Sequence, residues 1–107
     1  MVYVLDGQRF FLHVVSLNQS FQQFQLAPEF IIVGINNSYP VRFQHFGEGK
    51  ENFKGFLQDE LMTYVNQDFR TNGENLLFGW EYGGSFAFHM MKDRPTLFSA
   101  YLVASPY

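Results

Sequence analysis

A chain of 107 residues has room for one hydrophobic core, and we take residues 1–107 as a single domain. Its 47% hydrophobic and 16% charged residues exclude a disordered chain, and its 14 Phe residues predict large buried or shared apolar surfaces. A net charge of −3 and scattered Lys and Arg residues exclude the basic face on which nucleic-acid binding depends.

The absence of Cys removes disulfides, thiolate metal sites and a cysteine nucleophile, although it does not fix the cellular compartment. No apolar run approaches the roughly 20 residues of a membrane span. Residues 1–5 lack the basic flank and cleavage site of a signal peptide. We therefore expect neither a nucleic-acid nor a membrane partner, and the compartment stays open.

Four short apolar runs, at residues 2–5, 30–35, 75–78 and 101–104, predict buried strands. Between them, apolar residues recur at helical spacing. The first such stripe consists of Phe10, Val14, Leu17, Phe21 and Phe24. It predicts an amphipathic helix from Phe10 to a break at residues 27–29. Two more helices are predicted, over residues 53–69 and from the turn at residue 81 to just before Pro95.

Residues 36–52 are polar, contain glycines and a proline, and follow neither period, so we predict a long surface loop there. The resulting strand and helix order predicts an α/β fold, in which a parallel four-stranded sheet carries helices on both faces. Ligands of such sheets bind at the carboxyl ends of the strands. Those ends are residues 6–8, 36–38, 80–82 and 105–106.

The turn after the third predicted strand contains the most informative motif. Residues 79–83 read Gly-Trp-Glu-Tyr-Gly, which has the spacing of the G-x-S-x-G nucleophile elbow. In that motif a serine stands at the sharp point between strand and helix, whereas here the residue is Glu81. Ser85 falls within the following helix, so we expect a first-turn residue rather than a displaced nucleophile.

Five short motifs, in their order and spacing, resemble one family. They are Leu5-Asp6-Gly7, residues 33–37 (Val-Gly-Ile-Asn-Asn), Asp59-Glu60-Leu61, Phe69-Arg70-Thr71 and Gly79-x-x-x-Gly83-Gly84. Together they resemble the esterase branch of the α/β-hydrolases, the enterochelin-esterase-like and esterase D-like serine hydrolases. The resemblance extends over the whole chain, which corresponds to the central part of the family's domain. It implies a partial α/β-hydrolase fold with the spatial strand order two-one-three-four.

The resemblance also implies a role for each elbow position. Position 81 becomes the nucleophile site, and the oxyanion hole is formed by the backbone N–H of Tyr82 and that of Gly7 or Gln8. The other elbow positions are Gly79, Trp80, Gly83 and Gly84.

As an enzyme, such a chain would hydrolyse a small-molecule carboxylic ester, but Glu81 has no hydroxyl. The family's acid and catalytic histidine follow later strands, after residue 107, so we expect an inactive chain. Two alternatives stay open. Glu81 could itself act as the nucleophile, or the chain could be a non-catalytic binding or scaffold domain with the elbow as ligand cradle. A flavodoxin-like domain is disfavoured because no phosphate-binding loop follows strand one.

The three His residues do not form a metal-binding pattern. His13 and His89 fall within predicted helices, whereas His45 lies in the predicted loop and is the one expected near the strand ends. Without spacing such as H-E-x-x-H, we expect neither a metal nor a cofactor. Residues 47–50 resemble a phosphate loop faintly, but Glu51 stands where Ser or Thr is required, so that interpretation is rejected.

The two outer strands, residues 30–35 and 101–104, would have unpaired apolar edges in this sheet. Such edges pair readily with other strands. We therefore expect the chain to form a homo-oligomer or to pair with the remainder of a longer protein.

Overall fold

A computed structural model describes residues 1–24, 30–38, 41–69 and 74–104. Its four strands are β1 (Val2–Val4), β2 (Ile32–Gly34), β3 (Leu76–Trp80) and β4 (Ala100–Ala104). They form one parallel sheet in the order β2-β1-β3-β4. The predicted α/β class, the parallel sheet and the strand order are confirmed.

Helices connect the strands on each side. Helix α1 (Gly7–Gln23) joins β1 to β2, and α5 (Tyr82–Asp93) joins β3 to β4. Between β2 and β3 the described chain forms α2 (Val41–Phe43), α3 (Lys50–Gly55) and α4 (Met62–Asp68), with π-helical segments at Gln44–Glu48 and Phe56–Leu61.

The strand side chains alternate between two covered faces, because successive residues of a strand point to opposite sides of a sheet. Tyr3 and Leu77 are fully buried in the main core, which they form with residues of α3, α4 and α5. On the other face, the ring of Phe10 from α1 packs against Phe78 and Trp80 at centroid distances of 5.4 and 5.5 Å. Helices therefore cover both faces, as predicted.

The prediction of a surface loop over residues 36–52 was wrong for much of its length. The stretch contains α2, a π-helical segment with a kink at Gly47, and the first residues of α3. Helical periodicity is hidden there because Val41 and Phe43 are exposed, while Phe46 is buried. The ring of Phe46 packs against Phe53 and Phe86 at 5.8 and 5.4 Å, so distant contacts hold these turns.

The element boundaries differ slightly from those predicted. Helix α1 begins at Gly7 instead of Phe10, since the left-handed conformation of Asp6 (φ 53°, ψ 45°) turns the chain directly from β1 into the helix. The helix that was predicted from residue 53 begins at Lys50. The predicted break at 27–29 and the predicted strand end at 105–106 lie outside the described residues.

Candidate active site

The turn at Glu81 has the backbone geometry of a nucleophile elbow. Strand β3 ends at Trp80 and helix α5 begins at Tyr82, so one residue joins the two elements. Glu81 adopts φ 56° and ψ −115°, which is strained for any residue with a side chain. Ser85 donates its backbone N–H to the Glu81 carbonyl at 3.0 Å and lies in the first turn of α5, as predicted. The sequence motif thus marks a sharp strand-to-helix turn.

Glycine at position 79 allows the strand and the helix to approach closely. A β-carbon at Gly79 would collide with the carbonyl group of Gly83 in the first turn of α5. Gly83 and Gly84 are themselves buried. The small residues of the motif therefore fix the packing of α5 on β3.

The elbow opens into a cleft of about 320 Å³ at the carboxyl ends of the strands. Its described lining residues are Asp6, Gln8, Arg9, Arg42, Trp80 and Glu81. The structure thus brings together three of the residues that the sequence singled out, namely Gln8, Trp80 and Glu81. The two arginines were not predicted as site residues. Arg42 comes from the stretch interpreted as a loop, and Arg9 lies one residue beyond the predicted strand end at 6–8.

The floor of this cleft is held by an ion pair between Asp6 and Arg42. The guanidinium donates from Nε and from Nη2 to the two carboxylate oxygens, each at 3.0 Å, and Nη2 also reaches the Trp80 carbonyl at 3.4 Å. The Asp6 side chain is 1% exposed and that of Arg42 is 12% exposed. The Asp6 N–H donates to Asn37 Oδ1 at 2.9 Å. This network ties together the ends of β1, β2 and β3.

Arg9 contributes a second positive charge at the rim of the cleft. Its guanidinium carbon lies 4.4 Å from the centre of the Trp80 ring, a cation–π distance, and its side chain is exposed. Arg42 lies farther from the same ring, at 5.7 Å. The carboxylate of Glu81 therefore shares its cleft with two guanidinium groups.

The family resemblance implied the backbone N–H groups of Gly7 or Gln8 and of Tyr82 as oxyanion-hole donors, and the structure distinguishes Gly7 from Gln8. Gly7 donates its N–H to the Ile35 carbonyl at 2.7 Å, so that donor is engaged within the fold. Of the two alternatives this leaves Gln8, whose side-chain Oε1 accepts the Asn37 N–H at 2.9 Å. Gln8 and Tyr82 lie in the first turns of α1 and α5, at the ends of β1 and β3. Their role as oxyanion donors stays a prediction.

His45 lies near the strand ends, as the sequence predicted, but it lines a different cavity from Glu81. Its Nδ1 lies 2.8 Å from Asn37 Nδ2, and burial lowers its pKa. His13 lies on α1 and His89 on α5, where His89 Nε2 is 3.1 Å from Lys54 Nζ.

Neither a metal-binding cluster nor a membrane-spanning helix occurs among the described residues. Within residues 1–24, 30–38, 41–69 and 74–104, no group of three or more His, Cys, Asp or Glu side chains is placed to bind a metal ion. Among the helices in those ranges, none combines the length and the apolar character that crossing a membrane requires.

The family model described as Putative esterase matches residues 1–107, the whole chain. The chain belongs to this esterase family. Among curated proteins, the siderophore enterobactin esterase of Emericella nidulans is 36% identical over 59 residues, which cover 45% of this chain and 20% of that protein.

Several solved structures have the same fold. The BES protein of Bacillus cereus superposes with a TM-score of 0.84 at 27% identity, covering 98% of this chain and 48% of that protein. An IroE-like serine hydrolase of Shewanella oneidensis gives 0.83 at 33% identity, with coverages of 94% and 38%. The siderophore hydrolase EstB of Aspergillus nidulans gives 0.75 at 23% identity, with coverages of 98% and 43%, a likeness of fold.

The chain spans less than half the length of each of these relatives. Its four-stranded sheet is therefore part of an α/β-hydrolase domain of the esterase branch, as the motifs implied.

Proposed function

We propose that this chain is a non-hydrolytic member of the esterase family, and that its elbow cleft binds a small-molecule ester without cleaving it. The observation that carries the proposal is Glu81 at the point of the elbow, where a serine hydrolase carries its nucleophilic hydroxyl. A carboxylate has no hydroxyl proton for a base to remove, so the serine route to an acyl-enzyme is closed.

The chemistry of the cleft supports binding. Gln8 and Tyr82 bring two helix N-termini to the elbow, and helix N-termini favour oxygen atoms with partial negative charge, such as an ester carbonyl. Arg9 adds guanidinium donors at the rim, and Trp80 adds a flat apolar surface. One relative is described as a siderophore enterobactin esterase, so we propose a siderophore ester, with enterobactin as the first probe.

A hydrolysis assay tests the inactive elbow. p-Nitrophenyl butyrate and enterobactin are incubated with the wild-type chain, with Glu81→Ala and with Glu60→Ala, which removes an exposed carboxylate outside the cleft. We expect no turnover above the buffer rate from any of the three. Turnover that disappears in Glu81→Ala and persists in Glu60→Ala would show that the carboxylate acts as a nucleophile, which is the alternative reading of the elbow.

A fluorescence titration tests the binding half of the proposal. Trp80 is the one tryptophan of the sequence and lines the cleft, so its emission reports directly on occupancy. We expect a saturable change with enterobactin, and a weaker affinity for Arg9→Ala. Lys92→Ala, an exposed cation on α5 outside the cleft lining, serves as the control and should bind like wild type. A titration without saturation would contradict ligand binding at the elbow.

A further inference from the structure

A second and larger cavity, of about 540 Å³, lies at the carboxyl end of β2 and shares no described lining residue with the elbow cleft. One part of its wall is polar and formed by Asn36, Gln44, His45 and Asn52. Another part is aromatic and formed by Phe53 and Phe56. Among the described residues its lining contains no Asp, Glu, Lys or Arg. Its volume lies in the range of small-molecule sites.

The hydrogen bonds around Asn37 fix the protonation of His45. Asn37 is fully buried, and its Oδ1 accepts the N–H of Asp6 at 2.9 Å. Its Nδ2 is therefore the atom that faces His45, and it donates to Nδ1 at 2.8 Å. An imidazole that accepts at Nδ1 is neutral and has its proton on Nε2. The lowering of the His45 pKa by burial agrees with a neutral ring.

The ring of His45 is also fixed in orientation. It stacks on Phe53 at a centroid distance of 4.7 Å with an interplanar angle of 4°. Phe53 in turn lies 6.1 Å from Phe56 at an angle of 20°. Three nearly parallel rings thus form one wall of the cavity, and the N–H donor of His45 belongs to that wall. Phe53 is buried within this stack, whereas Phe56 is 38% exposed, so the Phe56 ring is the one that offers a planar ligand an aromatic contact.

We propose that this cavity binds an uncharged planar molecule with a carbonyl group, such as an aryl carboxamide, whose oxygen accepts the Nε2–H of His45. A charged ligand would lose its hydration without gaining a counter-ion, since the described lining is uncharged. The amides of Gln44 and Asn52 match the donor and acceptor groups of a carboxamide. The site is separate from the elbow and does not depend on whether the elbow binds or cleaves esters.

Three probes of similar size separate the features of this proposal. Benzamide has the aryl ring and the amide, benzoate replaces the amide with a charge, and cyclohexanecarboxamide replaces the planar ring. We expect saturable binding of benzamide to the wild-type chain by ligand-observed NMR. The other two probes should bind about tenfold more weakly. Equal binding of benzoate, or no saturable binding of benzamide, would overturn the proposal.

Variants locate the bound probe. Phe56→Ala removes part of the aromatic wall and Asn52→Ala removes an amide, and both residues are exposed enough to tolerate truncation. Each should weaken benzamide binding about fivefold or more. Gln67→Ala, an exposed amide on α4 outside the cavity, should leave it unchanged. Wild-type affinity in both cavity variants, or displacement of benzamide by an ester that shifts Trp80 fluorescence, would place the probe elsewhere and reject the site.

Discussion

Arg42 and Asp6 form a two-bond ion pair beneath the elbow, with both N–O distances at 3.0 Å and the carboxylate almost completely buried. Removing one partner of such a pair leaves a buried charge without compensation. We expect Arg42→Ala to lower the free energy of unfolding by about 3 kcal/mol, measured by urea denaturation. Arg94→Ala breaks an exposed pair with Asp93 and should cost less than about 1 kcal/mol. A loss in Arg42→Ala as small as that in Arg94→Ala would contradict the expected cost of leaving the buried Asp6 carboxylate without a partner.

The positive φ of Glu81 predicts an unusual effect of glycine. Glycine adopts this conformation without strain, whereas alanine still carries a β-carbon. Glu81→Gly should therefore be more stable than Glu81→Ala by about 1 kcal/mol in thermal or urea unfolding. Both variants lack the carboxylate, so its loss does not contribute to the difference in stability between them. At Gln67, an ordinary helical position, the order should be reversed. There the variant Gln67→Gly should be less stable than Gln67→Ala.

The sequence predicted the fold well because its strongest signals are local. Strands of buried apolar residues and the glycines of the elbow specify their structure within a few residues, and the strand order came from the family resemblance. The stretch around Phe46 could not be predicted in the same way. Its turns are held by the rings of Phe53 and Phe86, which lie on other elements.

The site was predicted in part for the same reason. Glu81 and Trp80 belong to the motif, and Gln8 follows a strand end, so all three could be named from sequence. Arg42 joins the cleft through a contact with Asp6 across 36 positions, which no local pattern reports. The engagement of the Gly7 N–H with Ile35 likewise depends on how β1 and β2 pair.

Gly79 and Gly55 offer a matched pair of substitutions. A β-carbon at Gly79 would meet the backbone of the first turn of α5, whereas one at Gly55 would meet nothing within 4 Å. We expect Gly79→Ala to destabilise the fold by about 2 kcal/mol or more, since backbone atoms must move. Gly55→Ala in α3 should stabilise by about 0.5–1 kcal/mol. Circular dichroism melting curves would measure both, and a neutral Gly79→Ala would contradict the close packing of β3 on α5.

Two histidines predict a loss of stability in mild acid. Burial lowers the pKa of His45, and burial together with the neighbouring Lys54 lowers that of His89, each from an ordinary value of 6.5. The unfolded chain therefore binds protons more readily than the folded chain as pH falls below 6.5. The stability linked to these two histidines should be fully present above that pH. The free energy of unfolding should decrease as the pH falls below it. Protonation of Asp93 affects the stability only at lower pH, because the hydrogen bond from Lys54 holds the pKa of Asp93 below 3.8.

Urea titrations between about pH 8 and about pH 5 test this dependence. His89→Gln and His45→Gln should each flatten the decrease, since each removes one group that titrates differently in the two states. Gln67→Ala should leave the slope unchanged. A stability that rises towards pH 5 would have the wrong sign and would contradict the lowered pKa of both rings.

The sheet edges predict self-association. Within the described residues, β4 pairs with β3 alone and β2 with β1 alone, so each has an open edge. Leu102 of β4 is 65% exposed and increases the apolar surface at that edge. We expect light scattering to show dimers or larger species, and Leu102→Lys to shift them towards monomer. Leu12→Lys replaces a leucine that is 76% exposed on helix α1 instead of on a strand, and it should not. A clean wild-type monomer in dilute solution would contradict edge pairing.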